Sequence, residues 1–181
     1  MRSAVQDPLS DLKDATLAHQ RAHGCGSHPF GDGARLAAWA VDAGARTAVE
    51  IGTSLGYSAA CLAGAGARVH TVDRDPVHTE LAQKHLGERG LADRVSCVTG
   101  EAVDVFAELP AGGADLAFFD GMEVSVAEVE VLARALRPGG LLIVSNMKLG
   151  GEEAEVRELL GGWRPREEGE ELFAVKPGQS R

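Results

Sequence analysis

The sequence predicts an α/β fold on a mostly parallel sheet of seven strands, and three observations carry that reading. Short β-rich runs, RTAVEI, RVHTV, RVSCV, ADLAFFD and GLLIVSN, alternate with segments of helical period about every 20 to 25 residues, as parallel β-α units do. The terminal run WRPREEGEELFAVKP reads as two strands about Gly169, a hairpin that adds an antiparallel strand. A chain of 181 residues, 44% of them hydrophobic, suffices for one core without disulfides or structural metal.

Taken in order, DPLSDLKDATLAHQRAHG has Asp7 as a cap and Pro8 at the first helical position, and ends at Gly24. Its apolar face is thin, so it reads as an accessory helix. The loop CGSHPFGDG leads to a second helix, ARLAAWAVDAG, closed by Gly44. After two strands, Pro76 opens the helix PVHTELAQKHLGERG, where the spacing of Val77, Leu81 and His85 predicts the inward face and Gly90 the stop. In VSVAEVEVLARAL the valines first alternate as in a strand. Leu132 and Leu136, four apart and followed by RPGG, decide for helix. With no repeat, low-complexity tract or linker, residues 1–181 form one domain: 1–44 the N-terminal helices and a covering loop, 45–178 the core.

The net charge of −9 argues against a nucleic-acid surface. No apolar run approaches the roughly 18 residues of a membrane span, and the first residues lack the apolar stretch of a signal peptide. Three cysteines, Cys25, Cys61 and Cys97, without a C-x-x-C pair fit a reducing compartment, with Cys61 and Cys97 as buried small hydrophobes. The expectation is a soluble cytoplasmic protein.

The stretch VEIGTSLGYSAA holds two competing motifs. Gly52, Ser54 and Gly56 spell G-x-S-x-G, the turn that presents a nucleophilic serine in α/β-hydrolases. That chemistry needs a distal histidine, and after Ser54 the only histidines are His70, His78 and His85, all in the next strand and helix. A dinucleotide fingerprint would need glycine at 52, 54 and 57 and fails at two of these. What remains is a glycine-rich strand-to-helix turn preceded by Glu50, with Asp73 closing the second strand where a carboxylate accepts both ribose hydroxyls. Glu50 would repel a pyrophosphate and suit a cation, so the implied cofactor is a cationic nucleoside.

Six motifs in order, VEIGTSLGYS, VDRDP, GLADRVSCVTGEA, DLAFFDG, LRPGGLLIVSN and LFAVKP, make the chain resemble class I S-adenosylmethionine-dependent methyltransferases over roughly residues 26–178. Within them it resembles the small-molecule O-methyltransferases related to catechol and caffeoyl-CoA O-methyltransferase, which implies the Rossmann-like methyltransferase fold and S-adenosylmethionine as cofactor. By that resemblance Glu50 lies near the cofactor's amino group, and the turn Gly52, Thr53, Ser54 and Gly56 passes its methionine portion. Ser58 holds its carboxylate at a helix N-terminus, Asp73 its ribose, and Gly100, Glu101 and Ala102 its adenine. Ser54 is then a residue of the cofactor loop. The implied partner is a small-molecule acceptor, with a homodimer left open and neither nucleic acid nor membrane expected.

Metal-dependent members of this family hold a divalent cation on an aspartate after the fourth strand and an Asp-Asn pair after the fifth. Here Asp120 and Asn146 match, Ser145 replaces the middle carboxylate, and Glu123 stands where a lysine is usual. The expectation is therefore transfer to a hydroxyl without the usual metal, Asp120 keeping a catalytic or cofactor-side place and His28, in the covering loop, serving as general base. The alternative is a cofactor-binding partner protein without transfer activity. Lys148 is expected to be solvated, and His19 with His23 to be an exposed polar face for want of a third ligand.

Overall fold

The computed structural model describes residues 7–178. The helices are α1 (Ser10–His23), α2 (Gly33–Asp42), α3 (Tyr57–Gly64), α4 (Pro76–Glu88), α5 (Ala102–Ala107), α6 (Val126–Ala135) and α7 (Glu153–Leu159). The strands are β1 (Thr47–Ile51), β2 (Arg68–Asp73), β3 (Val95–Thr99), β4 (Ala114–Phe119), β5 (Leu136–Val144), β6 (Arg166–Glu168) and β7 (Glu171–Val175). They form one sheet in the order β3-β2-β1-β4-β5-β7-β6. β1 to β5 are parallel, β7 runs antiparallel to β5, and β6 is antiparallel to β7, as the Gly169 hairpin predicts.

Strand side chains alternate between two covered faces, so both sides of this sheet are buried. Leu116 and Phe118 of β4 point toward Leu36, Leu62 and Leu86 of α2, α3 and α4. Ala117 and Phe119 point toward Phe106, Leu132 and Val156 of α5, α6 and α7. Gly33 lets α2 and α3 approach closely, because a Cβ there would lie 2.3 Å from the Tyr57 hydroxyl oxygen. Strand order reverses between β1 and β4, so the loops beyond their C-terminal ends diverge and leave a crevice. No helix among the described residues is long and apolar enough to cross a membrane.

Three local expectations are corrected. α1 begins at Ser10, two residues beyond Pro8, because Asp7 closes a preceding turn in which its Oδ1 accepts from the Leu9 N–H at 2.9 Å; the helix does end at Gly24, in the left-handed region at φ 61°. The inward face of α4 is His78, Thr79, Ala82 and Leu86 rather than Val77, Leu81 and His85. His78 and Thr79 turn inward to Asp73 and Thr99, leaving Val77 50% exposed and Leu81 only partly buried. Finally, Leu136 starts β5 instead of ending α6. A bulge opposite Ala114–Leu116 absorbs Pro138-Gly139-Gly140 within the strand.

Candidate functional site

A cleft of about 1220 Å³ opens at the C-terminal ends of the parallel strands. Its walls are the glycine turn after β1, residues 72–75 after β2, 100–103 after β3, 120–125 after β4, Asn146 after β5, and the loop 25–31 that spans the opening. Gly52, Ser54, Asp73, Gly100, Glu101, Ala102, Asp120 and His28 of the expected set line it, whereas Glu50, Thr53, Gly56 and Ser58 lie behind the lining.

The glycine turn is folded against its neighbours. Gly52 has φ 98°, and a Cβ there would sit 2.5 Å from the Asp120 carbonyl oxygen, so only glycine lets β1 and β4 end this close together. Ser54, also at positive φ, donates its N–H to Asp73 Oδ2 at 2.8 Å, and its hydroxyl hydrogen-bonds that of Ser27 in the covering loop. The Asp75 N–H donates to Asp73 Oδ1 at 3.0 Å. Asp73 is thereby fixed at the mouth of the cleft with acceptor capacity to spare. Below the turn the Thr53 and Thr71 hydroxyls pair at 2.7 Å.

Two carboxyl groups depart from ordinary acidity. Glu50, on β1 opposite Thr71 of β2, is completely buried, and burial pushes its pKa up to about 7. The hydroxyls of Ser58 and Thr71 pull it partway back and the Asp73 charge raises it, yet neither Glu50 oxygen has a partner at hydrogen-bonding geometry among the described residues. Burial likewise raises Asp120 well above its ordinary value, Ser145 and Asn146 opposing the rise and the Glu50 and Glu171 charges adding to it. The Ser145 hydroxyl lies 2.9 Å from both the Phe119 carbonyl and Asp120 Oδ1, two acceptors for one proton. Ser145 shares its one proton between these two acceptors. Asn146, at φ 61°, donates its side-chain N–H to the Gly121 carbonyl at 2.7 Å.

The cleft is strongly acidic. Asp75, Glu101, Glu123, Glu128, Glu170 and Glu171 add to Asp73 and Asp120 in its wall, and among the described residues Arg74 is the one lysine or arginine that lines it. Such a concave acidic surface concentrates cations.

The covering loop is tied down at both ends. Lys13 of α1 donates to the Gly31 carbonyl at 2.7 Å, and Ser27, absent from the sequence expectations, reaches Ser54. A contact across 27 residues between two common side chains leaves no sequence signal. His28 is exposed, with Nδ1 3.0 Å from the Pro29 carbonyl. Lys148 is exposed, its charge felt by Glu167. The expected exposed face holds for His23 only: His19 is half-buried, stacking near His23 and meeting His78 edge-on at 5.3 Å between ring centroids.

A family model described as a methyltransferase domain matches residues 49–147. A catechol O-methyltransferase of Mycobacterium tuberculosis is 41% identical over 111 residues, which are 59% of this chain and 50% of the relative. One of Niastella koreensis is 34% identical over 115 residues, 60% of this chain and 52% of the relative, so the chain spans about half the length of these curated relatives. Among solved structures, the O-methyltransferase TomG of Streptomyces achromogenes, crystallised with SAM, superposes with a TM-score of 0.79 at 24% identity, covering 96% of this chain and 91% of that one. A cofactor-bound structure from MTB gives 0.75 at 27% identity, covering 97% and 94%. With the family model spanning β1 to the end of β5, and this sheet order beneath it, the chain belongs to the methyltransferase-domain family and has its Rossmann-like class I fold.

Proposed function

We propose that the chain transfers a methyl group from S-adenosylmethionine to a hydroxyl of a small-molecule acceptor, and that it does so without a divalent metal. The observation that carries the cofactor reading is Glu50, a buried carboxyl with both oxygens unpartnered directly behind a glycine turn that no side chain can fill. An orphaned carboxyl of this kind is stabilised by a nearby cation, and the acidic cleft draws one in. Asp73 would hold the ribose, the backbone of Gly100 to Ala102 would line the adenine, and the Gly52–Ser54 backbone would run beside the methionine portion. Ser58, buried at the start of α3, would receive the carboxylate with the helix N-terminus. The bound sulfonium supplies an electrophilic methyl group, so the protein chiefly aligns the acceptor and accepts one proton.

The metal-free reading rests on Asp120 and Ser145. Ser145 places a neutral hydroxyl, hydrogen-bonded to Asp120, where a second carboxylate would stand, so the paired anionic oxygens on which Mg²⁺ depends are missing. His28 is the proton acceptor of this reading: with Nδ1–H donated to the Pro29 carbonyl, Nε2 keeps its lone pair and faces solvent or an acceptor. The three free cysteines fit a cytoplasmic setting.

The test is formation of S-adenosylhomocysteine with a panel of phenols, catechols and amines, in EDTA and in Mg²⁺. Product on a hydroxyl acceptor in EDTA is expected. If EDTA abolishes turnover and Mg²⁺ restores it, Asp120 and Asn146 hold a metal and His28 loses its part. Cofactor binding with no product from any acceptor would support the partner-protein alternative, which the Ser145 and Glu123 replacements favour.

A further inference from the structure

We propose that His19, Cys25 and His78 form a zinc site that clamps the covering loop onto α1 and α4 at the edge of the cofactor cleft. One ligand atom from each residue lies within 4.8 Å of the others. Zinc bonds of about 2.0 to 2.3 Å in a tetrahedron bring such atoms to about 3.3 to 3.6 Å, a closure of roughly 1 Å that side-chain rotation supplies. The pairing of two imidazoles with a thiol is a zinc donor set, and three protein ligands leave a fourth position open.

A second, independent observation points to a ligand. His78 is 7% exposed, and its buried Nε2 has no hydrogen-bond partner among the described residues. The Asp75 carboxylate oxygen Oδ2 is 3.6 Å away, beyond hydrogen-bonding reach. The other ring nitrogen, Nδ1, faces Asp73 Oδ1 at 3.4 Å. A carboxylate behind a ligating histidine fixes the tautomer and aims the free nitrogen at the metal. His19 and Cys25 are only half-buried, which leaves an entry path.

The three ligands come from separate pieces of chain. His19 lies on α1, Cys25 opens the covering loop, and His78 lies in the first turn of α4. A bound ion would therefore hold the loop closed, and through His78 it would steady Asp73. Zinc and the nucleoside cofactor should each tighten the other's binding, as linkage requires. Zinc binding itself stands apart from the methyl-transfer reading; only this coupling rests on it.

The experiment titrates chelator-stripped chain with Zn²⁺ against a chromophoric competitor, and separately with Co²⁺ while recording absorption. One equivalent should bind with a Kd of about 1 µM or tighter, and Co²⁺ should show the thiolate charge-transfer and strong visible bands of a tetrahedral site. Cys25→Ser, His19→Gln and His78→Gln should each weaken Zn²⁺ by about 100-fold or more, with unchanged circular dichroism. Asp120→Asn should retain the zinc. Absence of the thiolate band in the unmodified protein, a weaker Kd, or equal affinity in Cys25→Ser overturns the site. With zinc bound, an S-adenosylmethionine affinity unchanged from the stripped chain overturns the coupling alone.

Discussion

Replacing Glu50 by glutamine should stabilise the cofactor-free protein and weaken its cofactor binding, and the structure sets both the size and the pH window. Glu50 is wholly buried, with its pKa raised from 4.5 to about 7. The folded state therefore holds this proton more tightly than the unfolded chain does. Stability accordingly falls as pH rises from the unfolded pKa toward 7, and the full penalty is present above that. The rise corresponds to about 3 kcal/mol at 1.36 kcal/mol per pKa unit. Glutamine keeps the shape and removes the charge but leaves a buried amide to satisfy, so a gain of about 1 to 3 kcal/mol at pH 8.5 is expected, a Tm increase of about 3 to 10 °C for a chain this size. Near pH 4.5, where the wild-type carboxyl folds neutral, this advantage should vanish and the variant should melt with the wild type or below it. Thermal unfolding by circular dichroism from about pH 4.5 to 8.5 measures the difference, and calorimetry with S-adenosylmethionine measures the accompanying loss of affinity. A wild-type protein as stable as Glu50→Gln at the alkaline end, or a difference independent of pH, would refute the reasoning.

Further outcomes follow from the same geometry. Asp73→Ala should weaken S-adenosylmethionine binding by about 1.5 to 3 kcal/mol, the loss of charge-assisted hydrogen bonds; unchanged affinity by calorimetry in a folded variant removes Asp73 from the ribose site. Ser54→Ala removes only a hydroxyl contact to Ser27, so binding and turnover should stay within about fivefold, and a loss of about a thousandfold in turnover at unchanged binding would restore a chemical part for the serine. Gly52→Ala places a Cβ against the Asp120 carbonyl at positive φ and should cost about 2 kcal/mol or more of stability, read by denaturant unfolding; an unperturbed midpoint contradicts the close approach. Ser145→Asp should raise Mn²⁺ affinity, measured by electron paramagnetic resonance, because it adds a hard anionic oxygen beside Asp120. An unchanged Mn²⁺ affinity contradicts that placement.

The parts of the fold that were legible in the sequence are those with local causes. The β-α rhythm, the glycine turn after Glu50, Asp73 at the end of β2 and the Gly169 hairpin each depend on residues close together in the chain. The inward face of α4 lies one position, about 100°, from the one that Val77, Leu81 and His85 predict, because His78 and Thr79 turn in to meet Asp73 and Thr99, polar contacts that an apolar spacing does not register. β5 absorbs its Pro-Gly-Gly through a bulge that only the partner strand reveals. The sequence shows that Ser145 lacks a carboxylate but not that its hydroxyl binds Asp120, nor that burial raises the pKa of Asp120. His19, Cys25 and His78 meet only because α1 folds back over α4, which no spacing announces.

On the proposed reading, this cleft binds S-adenosylmethionine with its methyl group turned toward an acceptor under the covering loop. A crystal structure of the chain with S-adenosylhomocysteine tests it most directly. The ribose hydroxyls should lie on the Asp73 carboxylate, the adenine along Gly100 to Ala102, and the amino-acid portion over Gly52 with its ammonium group toward Glu50. A ligand bound elsewhere, or an empty cleft at saturating S-adenosylhomocysteine, would contradict it.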